Sequence, residues 1–144
     1  MASIMMFIVA LCLGMAACGV SPSLGSASPT STRNTGPAIS CGSISQGGPV
    51  AQPANASAAE NCFWQAYQKC KPATLEYTVS SVDTGTTHQL TLTPQTDGCR
   101  ITDVSTHYVV PNTQKTTTYV CSGMTKLTQG LQLQGCGAEG NFKV

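Results

Sequence analysis

The fold is decided by residues 57–93, which read SAAENCFWQAYQKCKPATLEYTVSSVDTGTTHQLTLT. In the first half, apolar residues recur at three- and four-residue steps, the spacing of one face of a helix. These residues are Ala59, Phe63, Ala66 and Cys70. Ser57 and Glu60 have the spacing of a capping box, and Pro72 is a residue that stops a helix. The sequence therefore predicts an amphipathic helix over residues 58–70.

After the helix, apolar residues alternate with polar ones, beginning with Leu75, Tyr77 and Val79. This alternation is typical of strands with one buried and one wet face. The expected strands are 75–80, 88–93, 99–110, 115–122 and 127–136, separated by turn residues at 83–85, 94–98 and 111–112. A slip in the alternation between Ile101 and Val104 indicates a bulge.

The predicted fold class is α+β, with one N-terminal amphipathic helix packed on a four- to five-stranded antiparallel meander and braced by disulfides. This order of elements resembles the layout of cystatin-like folds, in which a curled sheet wraps a helix. The resemblance concerns layout alone, so it implies a fold and no activity.

The chain has eight cysteines in 144 residues, and two of them, Cys12 and Cys18, lie in the apolar N-terminal segment. The others are Cys41, Cys62, Cys70, Cys99, Cys121 and Cys136. An even set in an exported chain indicates disulfides, and the absence of any Cys-x-x-Cys argues against a metal site. Among the many pairings that this set allows, we favour Cys121–Cys136 on adjacent strands and Cys70–Cys99, which leaves Cys41–Cys62.

The N-terminus has the pattern of an export signal. Residues 4–17 are an apolar run that ends in Met15-Ala16-Ala17-Cys18, followed by Gly19. This resembles the lipobox of bacterial lipoproteins, and the whole chain looks like small uncharacterised cysteine-rich lipoproteins of the bacterial cell envelope. The resemblance implies that residues 1–17 are a signal peptide and that Cys18 carries acyl chains such as palmitate. An uncleaved anchor and ordinary cleavage after an Ala-x-Ala-like site are the alternative interpretations.

The composition of the remaining residues indicates a tether followed by a folded domain. Residues 18–38 are rich in Ser, Pro and Gly, which is typical of a flexible tether. Residues 39–144 are expected to form one disulfide-braced domain, with its core in 57–144. Such a domain would lie outside the cytoplasm, anchored by lipid to the cell membrane or the outer membrane.

Charge and motifs exclude several function classes. Only 9% of residues are charged and the formal net charge is +1, so no strong field would attract nucleic acid. No glycine-rich phosphate loop precedes the helix, and we predict neither a cofactor nor a metal.

Three side chains are the candidates for catalysis. Asp83 begins an Asp-Thr-Gly that resembles the motif of aspartic proteases, which would need a second Asp from a homodimer. It also lies where a hairpin must turn, and a turn residue is the favoured interpretation. His88 and His107 lie opposite each other if Asp97-Gly98 is a two-residue turn. A three-residue loop, which we favour, pairs Leu90 with Val104 instead.

We therefore expect a non-enzymatic binding or envelope-structural domain whose partner is an envelope protein, a peptide or a glycan. The alternative is a secreted hydrolase that uses Asp83 or the pair His88 and His107.

Overall fold

The computed structural model describes residues 36–47, 55–112 and 114–144. Its helices and strands are β1 (Ile39–Gly47), α1 (Ala56–Gln68), β2 (Ala73–Ser80), β3 (Thr84–Gln95), β4 (Gly98–Val109), β5 (Lys115–Cys121), β6 (Gly123–Lys126), β7 (Leu131–Gln134), a short 3-10 turn (Gly137–Glu139) and β8 (Phe142–Lys143).

Five strands form one sheet in the order β1-β2-β3-β4-β5. The strands β1 and β2 are parallel, whereas the other neighbouring pairs of this sheet are antiparallel. The last three strands form a second, antiparallel sheet in the order β6-β7-β8. The described residues are therefore mostly sheet with one α-helix, and the large sheet is mixed rather than the pure antiparallel meander that we predicted.

The prediction of an N-terminal helix is wrong because β1 precedes α1. The helix connects two parallel neighbours, β1 and β2, which is the kind of crossover that parallel pairing requires. The sequence of β1 is rich in Ser and Gly and contains a single fully buried apolar residue, Ile44, so it lacks a strand-like apolar alternation. Since Ile44 belongs to the main core, that core extends beyond residues 57–144.

The predicted helix is present, but it begins two residues earlier than expected. The backbone amides of Ala58 and Ala59 both donate to the carbonyl oxygen of Asn55 at 3.0 Å, and no side chain caps the helix. The capping box of Ser57 and Glu60 is thus wrong, because both residues lie inside the first turns of α1. After the helix, Cys70 adopts a left-handed conformation with φ of 42°.

One hydrophobic core joins the helix to both sheets. The inner face of α1 contributes Phe63, which is completely buried. The large sheet contributes alternate residues of β2, β3 and β4, namely Ala73, Leu75, Tyr77, Leu90, Leu92 and Ile101. The small sheet and the C-terminal residue complete the core with Met124, Leu131, Leu133 and Val144. The other face of the large sheet remains outside this core.

The small sheet replaces the single strand that we expected over residues 127–136. The backbone amide of Leu127 donates to the carbonyl oxygen of Gly130 at 3.1 Å, which reverses the chain between β6 and β7. Gly130 has φ of 90°, and a Cβ there would meet the carbonyl oxygen of Val144. This turn therefore requires glycine and limits β7 to Leu131–Gln134.

Candidate functional site

The outer face of the large sheet is covered with threonine. Because side chains alternate along a strand, the residues between the buried positions all point to this face. One row across β2 to β5 consists of Thr78, Thr87, Thr106 and Thr116, which are neighbours in register. Hydroxyl oxygens are hydrogen-bonded between Thr78 and Thr87 at 3.2 Å and between Thr106 and Thr116 at 3.1 Å. The face is polar and nearly uncharged.

At one edge this face contains a cavity of about 500 Å³, which we call the Glu76 groove. Its walls come from three neighbouring strands, β1, β2 and β3. The lining residues are Ser40, Gly42, Ser43, Thr74, Leu75, Glu76, Gln89, Leu90 and Thr91. Glu76 is exposed and is the one charged residue among them. The groove therefore presents hydroxyl groups, one amide and one carboxyl group to a ligand.

An irregularity in β1 forms one wall of the groove. The register between β1 and β2 shifts between Ser40 and Ser43, and Gly42 lies in this shift with φ of 93°. The neighbouring Cys41 is bonded to Cys62 of α1, with the two Cα atoms 5.6 Å apart. Strand β1 is thus joined to β2 by the sheet and to the helix by a disulfide.

Of the predicted catalytic candidates, Asp83 lies in the exposed turn between β2 and β3. Its carbonyl oxygen accepts a hydrogen bond from the amide of Val110 at 2.8 Å, and the neighbouring Val82 is 95% exposed. Among the described residues, the Asp83 carboxylate has no hydrogen bond or ion pair. The turn interpretation accounts for this residue completely.

We expect the substitution Asp83→Asn to change the free energy of unfolding by less than about 0.5 kcal/mol, because the side chain is on an exposed turn. Urea denaturation monitored by circular dichroism measures this. A loss above about 1 kcal/mol would show that the carboxylate has a partner that this turn does not reveal.

The two histidines have different surroundings. In the register of β3 and β4, His88 is opposite Ser105, and His107 is opposite Thr86. His107 is exposed, with its Nδ1 at 3.1 Å from the hydroxyl oxygen of Thr86. His88 is 5% exposed and belongs to the inner face. The two residues are therefore not directly opposite and do not share a bonding partner.

The register between β3 and β4 differs from both predicted ones. The loop consists of the two residues 96–97, Gln95 pairs with Gly98, and Leu90 pairs with Asp103 rather than Val104. Pairing continues without a break along both strands, so the predicted bulge near Ile101 is wrong. The slip in the apolar pattern arises because Asp103 and Ser105 occupy inner positions and Val104 an outer one.

Asp103 is a buried acidic residue that the sequence analysis did not select as a candidate. It is completely buried, and its Oδ2 is 2.9 Å from Nδ1 of His88, which forms a buried ion pair when the imidazole is protonated. Its Oδ1 has no hydrogen-bond partner among the described residues. The predicted candidate on the same strand, His107, faces solvent four residues further along.

Histidine, aspartate and serine thus lie together on the inner face, but not as a catalytic triad. A triad requires the serine hydroxyl to donate to the second imidazole nitrogen. Here the hydroxyl of Ser105 donates to Oε1 of Glu139 at 3.2 Å instead. The imidazole of His88 stacks on Phe142 of β8 with ring centroids 4.4 Å apart. The second sheet covers this cluster, which indicates a role in packing.

Tyr77 adds a further polar contact beside this cluster. Its ring stacks on that of His88 at 5.8 Å between centroids, and its hydroxyl donates to Oε1 of Gln46 at 3.1 Å. Burial raises the pKa of the Tyr77 phenol above its usual value. The tyrosine therefore links β1 to the inner face of the sheet through a neutral hydroxyl.

Two of the three predicted cysteine pairings are disulfides. They are Cys41–Cys62 and Cys121–Cys136, whose Cα atoms are 5.6 Å and 4.0 Å apart. Cys70 and Cys99 are free thiols, so the third predicted bond is not formed. The predicted lipidation site, Cys18, lies outside the described residues, as does the predicted signal peptide.

Within the residues that the structure describes, no group of three or more His, Cys, Asp or Glu side chains could hold a metal ion. No helix of that part of the chain is long and apolar enough to cross a membrane.

Comparison with known proteins found no match to a protein-family model, to a curated protein or to a solved structure.

Proposed function

We propose that this chain is a lipid-anchored extracytoplasmic lipoprotein whose folded domain binds an envelope glycan in the Glu76 groove. In this proposal residues 1–17 are the signal peptide, acylated Cys18 is the membrane anchor, and the Ser- and Pro-rich segment to residue 38 is the tether. The observation that carries the binding function is the groove, because it is an open cavity on the polar face of the sheet.

Export is supported by the chemistry of the cysteines. Disulfides persist in oxidising compartments outside the cytoplasm. The bond Cys41–Cys62 joins β1 to α1, and Cys121–Cys136 joins β5 to the segment after β7. Both bonds therefore brace the arrangement of the elements, as expected of a small domain whose stability depends on such links.

The lining of the groove favours a glycan as the ligand. The hydroxyl groups of Ser40, Ser43, Thr74 and Thr91 both donate and accept hydrogen bonds, as do the hydroxyl groups of a sugar. The Gln89 amide and the Glu76 carboxylate add acceptors for hydroxyl and amide protons of an amino sugar. With a net charge of +1 in the whole chain, attraction over long distances contributes little.

The test is binding of a soluble N-acetylglucosamine oligosaccharide to the purified full chain, measured by isothermal titration calorimetry. We expect the substitution Glu76→Gln to weaken binding about tenfold, the usual effect of losing a hydrogen bond to a charged acceptor. The substitution Asp83→Asn is the matched control, because it also removes one exposed carboxylate but lies outside the groove. It should leave affinity unchanged.

Equal affinity of the Glu76→Gln variant and the unaltered chain would reject the groove as the binding site. An oligosaccharide that fails to bind the unaltered chain would reject the glycan as the ligand. We do not extend the proposal to hydrolysis, since Asp83, His88 and His107 have three separate environments.

A further inference from the structure

The two free thiols lie together at the edge of the domain. Cys70 directly follows α1, and Cys99 is the second residue of β4. The thiol of Cys70 donates to the carbonyl oxygen of Gly98 at 3.2 Å, which places it beside the backbone of Cys99. Since Cys99 directly follows Gly98, the Cys70 thiol needs only a small adjustment to reach the Cys99 sulfur and form a disulfide.

We propose that Cys70 and Cys99 are a reversible redox pair, which closes a third disulfide between the end of α1 and the β3–β4 hairpin. The pair is the site of an oxidative modification, distinct from the two structural disulfides. This inference depends on the hydrogen bond that holds the Cys70 thiol beside Cys99, and it does not require the glycan-binding function.

Accessibility separates this pair from the Cys121–Cys136 bond. Cys121 and Cys136 are only 6% and 0% exposed. Cys70 and Cys99 are both partly exposed, and Cys99 lines a surface cavity of about 190 Å³ together with Gly98 and Arg100. A small disulfide or an oxidoreductase can therefore reach the free pair, whereas the buried bond is protected from exchange.

The chemistry is thiol–disulfide exchange with a small-molecule or protein disulfide as the oxidant. The thiolate of Cys70 attacks one sulfur of that disulfide, and the other sulfur leaves as the first released thiol. Cys99, as thiolate, then attacks the Cys70 sulfur and displaces the second thiol. Cys70 and Cys99 together lose two electrons and two protons, and the two released thiols gain them.

The order of attack follows from the surroundings of Cys99. Burial raises the pKa of the Cys99 thiol to about 12, and the hydrogen bond and charge of Cys70 contribute to this rise. Cys99 is thus a poor first nucleophile at neutral pH. Once the Cys70 sulfur is part of a mixed disulfide, the contribution of Cys70 to this rise is removed, but that of burial remains. The second step still proceeds because it is intramolecular, which offsets the small ionised fraction of Cys99.

Closure of the bond should stiffen the end of the helix. The amides of Cys70 and Lys71 donate to the carbonyl oxygens of Tyr67 and Ala66 at 3.0 and 2.9 Å. These bonds close the last turn of α1, and a disulfide at Cys70 would tie that turn to the hairpin. Hydrogen exchange of the Cys70 and Lys71 amides should therefore be slower in the oxidised protein.

The experiment treats the purified full chain with either reduced glutathione or glutathione disulfide, alkylates free thiols and maps the peptides by mass spectrometry. We expect alkylation at both Cys70 and Cys99 after reduced glutathione. After glutathione disulfide we expect neither to be alkylated, and a cross-linked peptide to contain both. Cys121 and Cys136 should remain unlabelled under both conditions.

Two cysteine variants test the order in which the two thiols react. In Cys99→Ser, Cys70 should accumulate a stable glutathione adduct, because no second thiol resolves it. In Cys70→Ser, an adduct at Cys99 should form at least about tenfold more slowly, because so little of the Cys99 thiol is ionised. Continued alkylation of both cysteines in the disulfide buffer, or separate glutathione adducts on each in the unaltered chain, would overturn the proposal.

Discussion

Replacing His88 with leucine is expected to lower the free energy of unfolding by about 3 kcal/mol. The imidazole is the one described hydrogen-bond partner of the Asp103 side chain, which is completely buried. Without it both carboxyl oxygens lie in the core with no partner, and burying an unpaired carboxyl group is costly. Urea denaturation followed by circular dichroism measures the loss.

The matched control for this substitution is His107→Leu. His107 has the same side chain on the neighbouring strand but is exposed, so its replacement should change stability by less than about 0.5 kcal/mol. The double variant His88→Leu/Asp103→Leu should be more stable than the single His88→Leu variant, because no unpaired polar group remains. Additive losses in the double variant would show that the two side chains do not stabilise each other.

The buried pair of His88 and Asp103 also explains why the sequence predicts strands β2 and β3 but not the register of β4. Strands β2 and β3 were recognised because apolar residues such as Leu75, Leu90 and Leu92 alternate with polar ones. Strand β4 places Asp103 inside, where a pattern of apolar residues cannot reveal it. A rule that aligns apolar residues therefore moved the register by one residue, to Leu90 with Val104. Placing His88 and Asp103 on the same inner face would have excluded that register, although the two residues lie diagonally across the hairpin, with His88 opposite Ser105.

The missing first strand has a different physical cause. Helix α1 could be predicted because Phe63 and its neighbours follow a helical period, whereas β1 has only Ile44 fully buried in nine residues. The strand is stabilised by pairing with β2 and by Cys41–Cys62, which are contacts between distant parts of the chain. Local propensity carries no information about such contacts.

The Glu76 groove could be predicted only in part, because one of its walls is β1, which depends on contacts between distant parts of the chain. The alternation of β2 and β3 places Thr74, Glu76 and Gln89 on the wet face, so two of the walls follow from the sequence. The third wall requires β1 and its irregularity at Gly42. The groove therefore exists only after the parallel strand has paired with the sheet.

The largest effect that we expect concerns Cys18, through which the proposed lipoprotein is attached to its membrane. When the chain is expressed in a bacterium, the substitution Cys18→Ser should reduce incorporation of labelled palmitate to background, because serine cannot provide the thiol that carries the acyl chain. Each methylene of an acyl chain that is buried in the membrane contributes about 0.8 kcal/mol to binding, and two or more chains anchor a protein stably. Loss of this one thiol should therefore remove the lipid anchor entirely.

The matched control is Cys12→Ser, because Cys12 lies in the same apolar segment but follows the bulky Leu11 rather than a small residue. It should incorporate as much palmitate as the unaltered chain.

The intact mass of the detergent-extracted, unaltered protein distinguishes the three interpretations of this segment. A mass that begins at Cys18 and includes acyl chains supports the lipoprotein. A mass that retains residues 1–17 without lipid identifies an uncleaved anchor, and an acyl-free mass that lacks the apolar segment identifies ordinary secretion. Either of the last two results would reject the lipid anchor and leave the groove as the basis of any function.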